Sequence, residues 1–259
     1  MSTAERFEYQ AVIDDIVALN WQLLSSQDMM AAAWAYHYFS IQFREGLALA
    51  RSLYPDDDKL RQLEQEECDT DNLSPWPGVA RPGERMNHDE YMRRTLDLAP
   101  LDPVLALRCE AVGQAYLAMT RGLDASARAA SIASYEDGGL ERVFTAILRH
   151  ESWDTDLLAS FEHFLVEHVR FDSDPEQGHG ALSRHIAIDD RILPLWQGFK
   201  TLLIDCVPLL ARDETATRFH GQSGVFDIIA HGAGRLDPDA AVAEAIGHLA
   251  ACDAAVCHP

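Results

Sequence analysis

FEHFLVEHVRFDSDPEQGHGALSRH, residues 161–185, places four histidines and several carboxylates on and just beyond one helical stretch. Its apolar residues keep helical rather than alternating spacing, so it reads as a helix whose polar face carries metal-binding chemistry. His168 and Asp172 stand four apart, share a face and can converge on one centre. Mixed imidazole and carboxylate donors suit non-haem iron. His179 would keep that face on an unbroken helix, but roughly 16 Å along the axis from His168. The run Asp174-Pro175-Glu176-Gln177-Gly178 predicts an interruption that returns His179 to the site, because Pro removes a backbone donor and Gly permits a reversed turn.

Outward from this stretch the same period recurs. Phe7 to Leu53 carries an apolar stripe through Tyr36, Phe39, Phe43 and Leu47, which predicts two long helices or one broken one. Pro55 to Asp58 stops it and caps a helix bearing Leu60, Leu63 and the acids Glu64 to Glu67. A Pro- and Gly-rich loop follows over 72–85, then helical spacing from His88 to Leu98. Asp102-Pro103 opens a helix to about Arg121, with Asp as cap and Pro in the first turn. Further helices are expected at about 125–150, weak at Gly138-Gly139, and at 154–173 and 187–211. No strand is expected, so the chain reads as all-α. Residues 1–212 are expected to form the main domain and 213–259 an appended, partly helical segment.

A bridged two-metal site in a helical bundle needs carboxylates from other helices, on stripes that face inward. Glu67 continues the stripe of Leu60 and Leu63, with Glu64 and Glu66 as alternatives. Glu136 follows Ile132 by four in a stretch of small residues, where a buried acid is costly unless paired. His88 opens a helix after the loop and is either a ligand or an exposed cap. His150, His163, His185 and the tail histidines His220, His231, His248 and His258 lack partners at a persuasive spacing.

The chain has 259 residues, 47% of them hydrophobic, enough for a sizeable core. Its formal charge of -21 repels phosphate backbones and anionic lipid, so neither nucleic acid nor membrane is an expected partner. No segment reaches the ~18 apolar residues of a membrane span. Five scattered cysteines without a CxxC pattern suit reduced thiols, and a cytoplasmic protein is expected.

Glu67, His88, the Tyr135-Glu136 pair, and His168-x3-Asp172 followed by His179 together resemble the haem-oxygenase-like di-iron oxidases. The likeness covers about 35–211, and the separation of Glu136 from His168 is similar to that in the family. This chain puts six residues between Asp172 and His179 where the family usually has two. The resemblance implies a bundle of about seven helices and two ferrous ions held by Glu67, His88, Glu136, His168, Asp172 and His179. It also implies dioxygen as co-substrate and a small amino-acid-derived substrate, with N-oxygenation or oxidative C–C cleavage in natural-product biosynthesis.

The fold also hosts haem enzymes, for which His37 would be the ligand, and metal-free enzymes, for which Cys109 or Cys206 would be the reactive thiol. A non-catalytic helical interaction protein is the alternative from a different class. Arg170 and Arg184 flank the motif as candidate arms for a substrate carboxylate, and the aromatic-rich first helices are compatible with a homodimer.

Overall fold

The computed structural model describes residues 7–172 and 178–211. Residues 173–177 and the appended segment 213–259, with its four histidines, lie outside the described residues, as does the side chain of Asp172. The described chain is all-α: α1 (Glu8–Val17), α2 (Ser26–Leu53), α3 (Asp58–Glu67), α4 (His88–Leu96), α5 (Pro103–Arg121), α6 (Ala125–Ser134), α7 (Leu140–Ile147), α8 (Asp156–Asp172), α9 (His179–Ser183) and α10 (Leu193–Cys206). Two isolated bridges, Thr70 with Met86 and Trp76 with Ala80, fold the loop between α3 and α4 without making a strand.

The helix starts are written in the sequence. Ser25 and Asp28 form a reciprocal capping box at α2, and the carboxylates of Asp57, Asp102 and Asp124 each accept from two backbone N–H groups at the heads of α3, α5 and α6. Such caps satisfy donors that have no partner inside the helix, at about 1 kcal/mol each. The expected break in the first long stretch is a 3-10 turn at Trp21–Leu23, where the Trp21 indole donates to the Ile16 carbonyl. The stretch expected to be helical from 187 starts its regular helix only at Leu193, with Pro194 in the first turn.

α2 is the spine of the molecule and packs against α3, α4, α5, α6, α8 and α10. Tyr36, Phe39, Phe43 and Leu47 are buried as their stripe requires. The Tyr36 ring lies 5.4 Å from Phe144 and 5.3 Å from Phe164, edge-on to both. Each such side chain contributes about 1.5–3 kcal/mol on burial. Tyr36, Phe39 and Phe43 of α2 are therefore spent on the chain's own core.

Between α6 and α7 a π-type segment, Tyr135–Gly139, kinks the chain, Asp137 and Gly138 leaving helical backbone angles, at the weak point expected from Gly138-Gly139. Gly138 has φ of 85°, a left-handed conformation that a side chain would strain. Wide turns of this kind interrupt the helical ladder and re-aim their side chains. Here the re-aimed residue is Glu136, which is buried.

Candidate metal centre

Four elements and the head of a fifth deliver the polar groups to one place. Glu67 ends α3, His88 opens α4, Glu136 sits in the π segment, His168 lies on the last turns of α8, and His179 opens α9. All five are buried, at 5%, 6%, 4%, 5% and 3% exposure respectively. Burying so many ionisable groups costs several kcal/mol each unless they compensate one another. They do so in two sets of three, Glu67 with His88 and His168, and Glu67 with Glu136 and His179, the donor atoms of each set lying within 4.8 Å of one another. Glu67 belongs to both, through different oxygens: Oε2 lies 2.7 Å from His88 Nδ1 and Oε1 lies 3.2 Å from His179 Nδ1.

The hydrogen bonds on the outer side of each ring fix which nitrogen faces inward. His168 Nδ1 stands 2.7 Å from the Phe164 carbonyl, which can only accept, so that nitrogen carries the proton and Nε2 offers a lone pair. Burial, and then the neighbouring His88, pushes His168 down to about 3, which keeps the ring neutral. Asn72 Nδ2 donates to the Glu66 carbonyl, so Asn72 Oδ1 is the atom 3.1 Å from His88 Nε2 and accepts from it. His88 Nδ1 is thereby turned inward, 3.0 Å from His168 Nε2. These tautomers are assigned from the network.

The consequence is an electrostatic demand. His88 Nδ1, His168 Nε2 and Glu67 Oε2 converge as lone pairs, and only a cation or an added proton can sit among them. Burial raises the Glu67 carboxyl, but a proton on the facing His88, 2.7 Å away, and then on His179, outweighs it and brings it down to about 2. Glu67 is therefore a carboxylate. The three-donor set fits a divalent metal, since neutral imidazoles whose outer N–H is tied to a carbonyl oxygen are the usual protein donors.

The second set repeats the pattern with a carboxylate outside it. His179 Nε2 lies 3.2 Å from Glu66 Oε2, while Nδ1 faces Glu136 Oε2 at 3.0 Å. Glu66 is itself held by Gln62, whose Nε2 donates to Oε1 at 2.8 Å, and His179 first, then Gln62, draw its carboxyl below its usual value. Close packing brings α9 to the π segment: a Cβ at Gly180 would stand 3.0 Å from the Glu136 carbonyl oxygen. Arg184 at the end of α9 pairs with Asp137 at 2.7 Å.

Five of the six residues expected to hold metal are thus together, and the sixth, Asp172, ends α8 with its side chain outside the described residues. Among the alternatives, Glu64 pairs with Arg51 and Glu66 backs His179, leaving Glu67 as the shared acid. The remaining described histidines are elsewhere: His37 packs on Tyr38 at 5.5 Å, His163 stacks on Trp76 at 4.6 Å, His150 sits edge-on to Trp153, and His185 pairs with Asp57. Arg170 is exposed and pairs with Glu167, and Arg184 is spent on Asp137, so neither lines the centre.

A cavity of about 20 Å³ lies among these residues. Its other walls include Tyr36, Phe43, Arg44, Cys68, Asp89 and Leu140. Burial, and then Glu67, pushes the Cys68 thiol up to about 12. Sequence reasoning missed Asn72 and Arg44. Asn72 carries no local signal, while Arg44 had one, a charge four residues after Ser40 on the buried side of α2. No helix among the described residues is long and apolar enough to cross a membrane. The chain matches no protein-family model, no characterised protein and no solved structure.

Proposed function

We propose that this protein is a non-haem di-iron oxidase or oxygenase that uses dioxygen on a small amino-acid-derived substrate, within the haem-oxygenase-like fold. The single observation that carries the reading is the pair of buried three-donor sets joined through the two oxygens of Glu67. A shared carboxylate flanked by His and Glu on different helices is how helical bundles hold two metal ions. Carboxylate and imidazole donors, with no thiolate among them, favour iron or manganese over thiophilic metals.

When bound, two ferrous ions would supply the reduction of dioxygen, which is redox chemistry that no side chain provides. The chain's own part is to hold the ions and keep water out. His88 and His168 are fixed by Asn72 and the Phe164 carbonyl, His179 by Glu66, and Glu67 stays ionised among them. Phe164, stacked on His168 at 4.0 Å, and Phe144 at 5.8 Å make the surroundings apolar. Asp172, at the end of α8, would complete the ligand set that the resemblance implies.

The alternatives have less support. A haem enzyme would need His37 at the centre, and His37 is not one of the cavity's walls. A cysteine-dependent enzyme would need an ionisable thiol at the cavity, where Cys68 is held protonated, and Cys109 and Cys206 are buried away from its walls.

Anaerobic reconstitution with ferrous iron followed by metal analysis tests the proposal. About two irons per chain are expected, with transient absorbance on mixing with oxygen whose decay responds to a substrate in an amino-acid screen. Iron at trace level, unchanged by His168→Ala, would sink it.

A further inference from the structure

Away from the cavity, α5 and α10 hold two buried thiols that the metal centre does not use. Near the start of α10, Gly198 faces Tyr116 and Met119 of α5, and at its end the Cys206 carbonyl accepts from Arg108 Nη2 at 2.9 Å. The two helices therefore run antiparallel. A Cβ at Gly198 would collide with Met119 Cε and stand 3.4 Å from the Tyr116 ring, so the glycine lets the backbones approach closely. Cys206 lies about two turns beyond Gly198, and Cys109 lies about two turns before Tyr116. Equal steps along facing helices bring the two sulfurs opposite each other, and they share a hydrogen bond.

That bond is unequal in effect. The Cys206 thiol donates to the Cys109 sulfur and, with Arg108 nearby, draws the Cys109 thiol below its ordinary value against the opposing effect of burial. The same bond, and then burial, raises Cys206. Cys109 is the sulfur that gives up its proton first, and the thiolate is the attacking form.

We propose that Cys109 and Cys206 form a disulfide site, closed by hydrogen peroxide and reopened by thiols, that staples α5 to α10. The Cys109 sulfur attacks one peroxide oxygen, the O–O bond breaks, and the departing hydroxide takes the Cys109 proton to become water. Cys206 then attacks the resulting sulfenic sulfur, the S–O bond breaks, and its hydroxide leaves with the Cys206 proton as a second water. Two thiols lose two electrons and the peroxide gains them. Both thiols are fully buried, and Cys206 is the last residue of α10, so fraying of that last turn admits a small oxidant. The staple would close the span from Cys109 to Cys206, which carries Glu136, His168 and His179.

The full chain is treated with peroxide in the presence of a chelator, alkylated in denaturant, digested and mapped by mass spectrometry. A linked pair of peptides containing Cys109 and Cys206 is expected. The unfolding temperature should rise by about 5–15 °C, as closing so long a loop provides, and fall back with dithiothreitol. Cys206→Ser should lose both the link and the rise. Absence of the link, a main product joining either cysteine to Cys68, Cys252 or Cys257, a linked protein that melts no higher, or an equal rise in Cys206→Ser would each overturn the assignment. Should Cys206→Ser not fold, the map and the dithiothreitol reversal on the wild type decide it.

Discussion

The two three-donor sets share Glu67 and little else. In the set with His88 and His168, both histidines lie on regular helices, α4 and α8, and their outer nitrogens are held by neutral oxygens of Asn72 and Phe164. In the set with Glu136 and His179, one donor sits in a π-helical segment and the other at the head of a five-residue helix, backed by the partly exposed Glu66. Regular helices anchored in an aromatic core fix a side chain through many contacts. A wide turn and a short helix fix theirs through a few close ones, such as Gly180 against the Glu136 carbonyl. The first set is expected to be the rigid half of the centre and the second the adjustable half.

The comparison is most strongly challenged at the residue the halves share. Glu67→Ala is expected to remove iron from both sets, from about two per chain to near none, because each would keep two donors. Retention of one iron would show that the sets do not depend on a common carboxylate. His168→Ala and His179→Ala should each leave about one iron, and titration of the two variants with ferrous iron should give the tighter remaining site in His179→Ala.

Smaller effects come from the outer partners. Asn72→Ala and Glu66→Gln remove no donor of either set and are each expected to weaken iron binding about 10- to 100-fold at their own half. Competition with a chelator measures this, and equal losses from both halves in either variant would erase the distinction. Gly180→Ala should cost about 1 kcal/mol in thermal unfolding, since the new methyl must push α9 off the π segment. It should loosen one iron and leave the other.

The smallest effect concerns the helix that carries His88. Hydrogen bonding from Arg93, outweighing partial burial and reinforced by Arg94, holds the Glu90 carboxyl at about 2 against an ordinary 4.5. A carboxyl depressed in the folded state stabilises above its unfolded value and loses that contribution as pH falls from 4.5 through about 2. Glu90→Gln is therefore expected to lower stability at pH 7 by less than about 1 kcal/mol, screening included. Wild type and variant should converge in urea unfolding near pH 2.

The sequence alone determined the all-α class, most helix starts and the inward acids. These follow from spacing and caps, and both act within a few residues: Ser25, Asp57, Asp102 and Asp124 each cap the helix they precede. The stripe of Leu60 and Leu63 likewise carried Glu67 to the interior. Tertiary structure decided what each polar group faces. Glu67 and Glu66 are adjacent, yet one joins both donor sets and the other backs His179, because α9 packs on α3 and brings His179 within reach of both acids. Asn72 reaches His88 across 16 residues of loop, and Arg44 rather than Arg170 or Arg184 borders the cavity. Such choices depend on the rotation and approach of whole helices, set by the summed packing of α2 and its neighbours, and no local pattern encodes that sum.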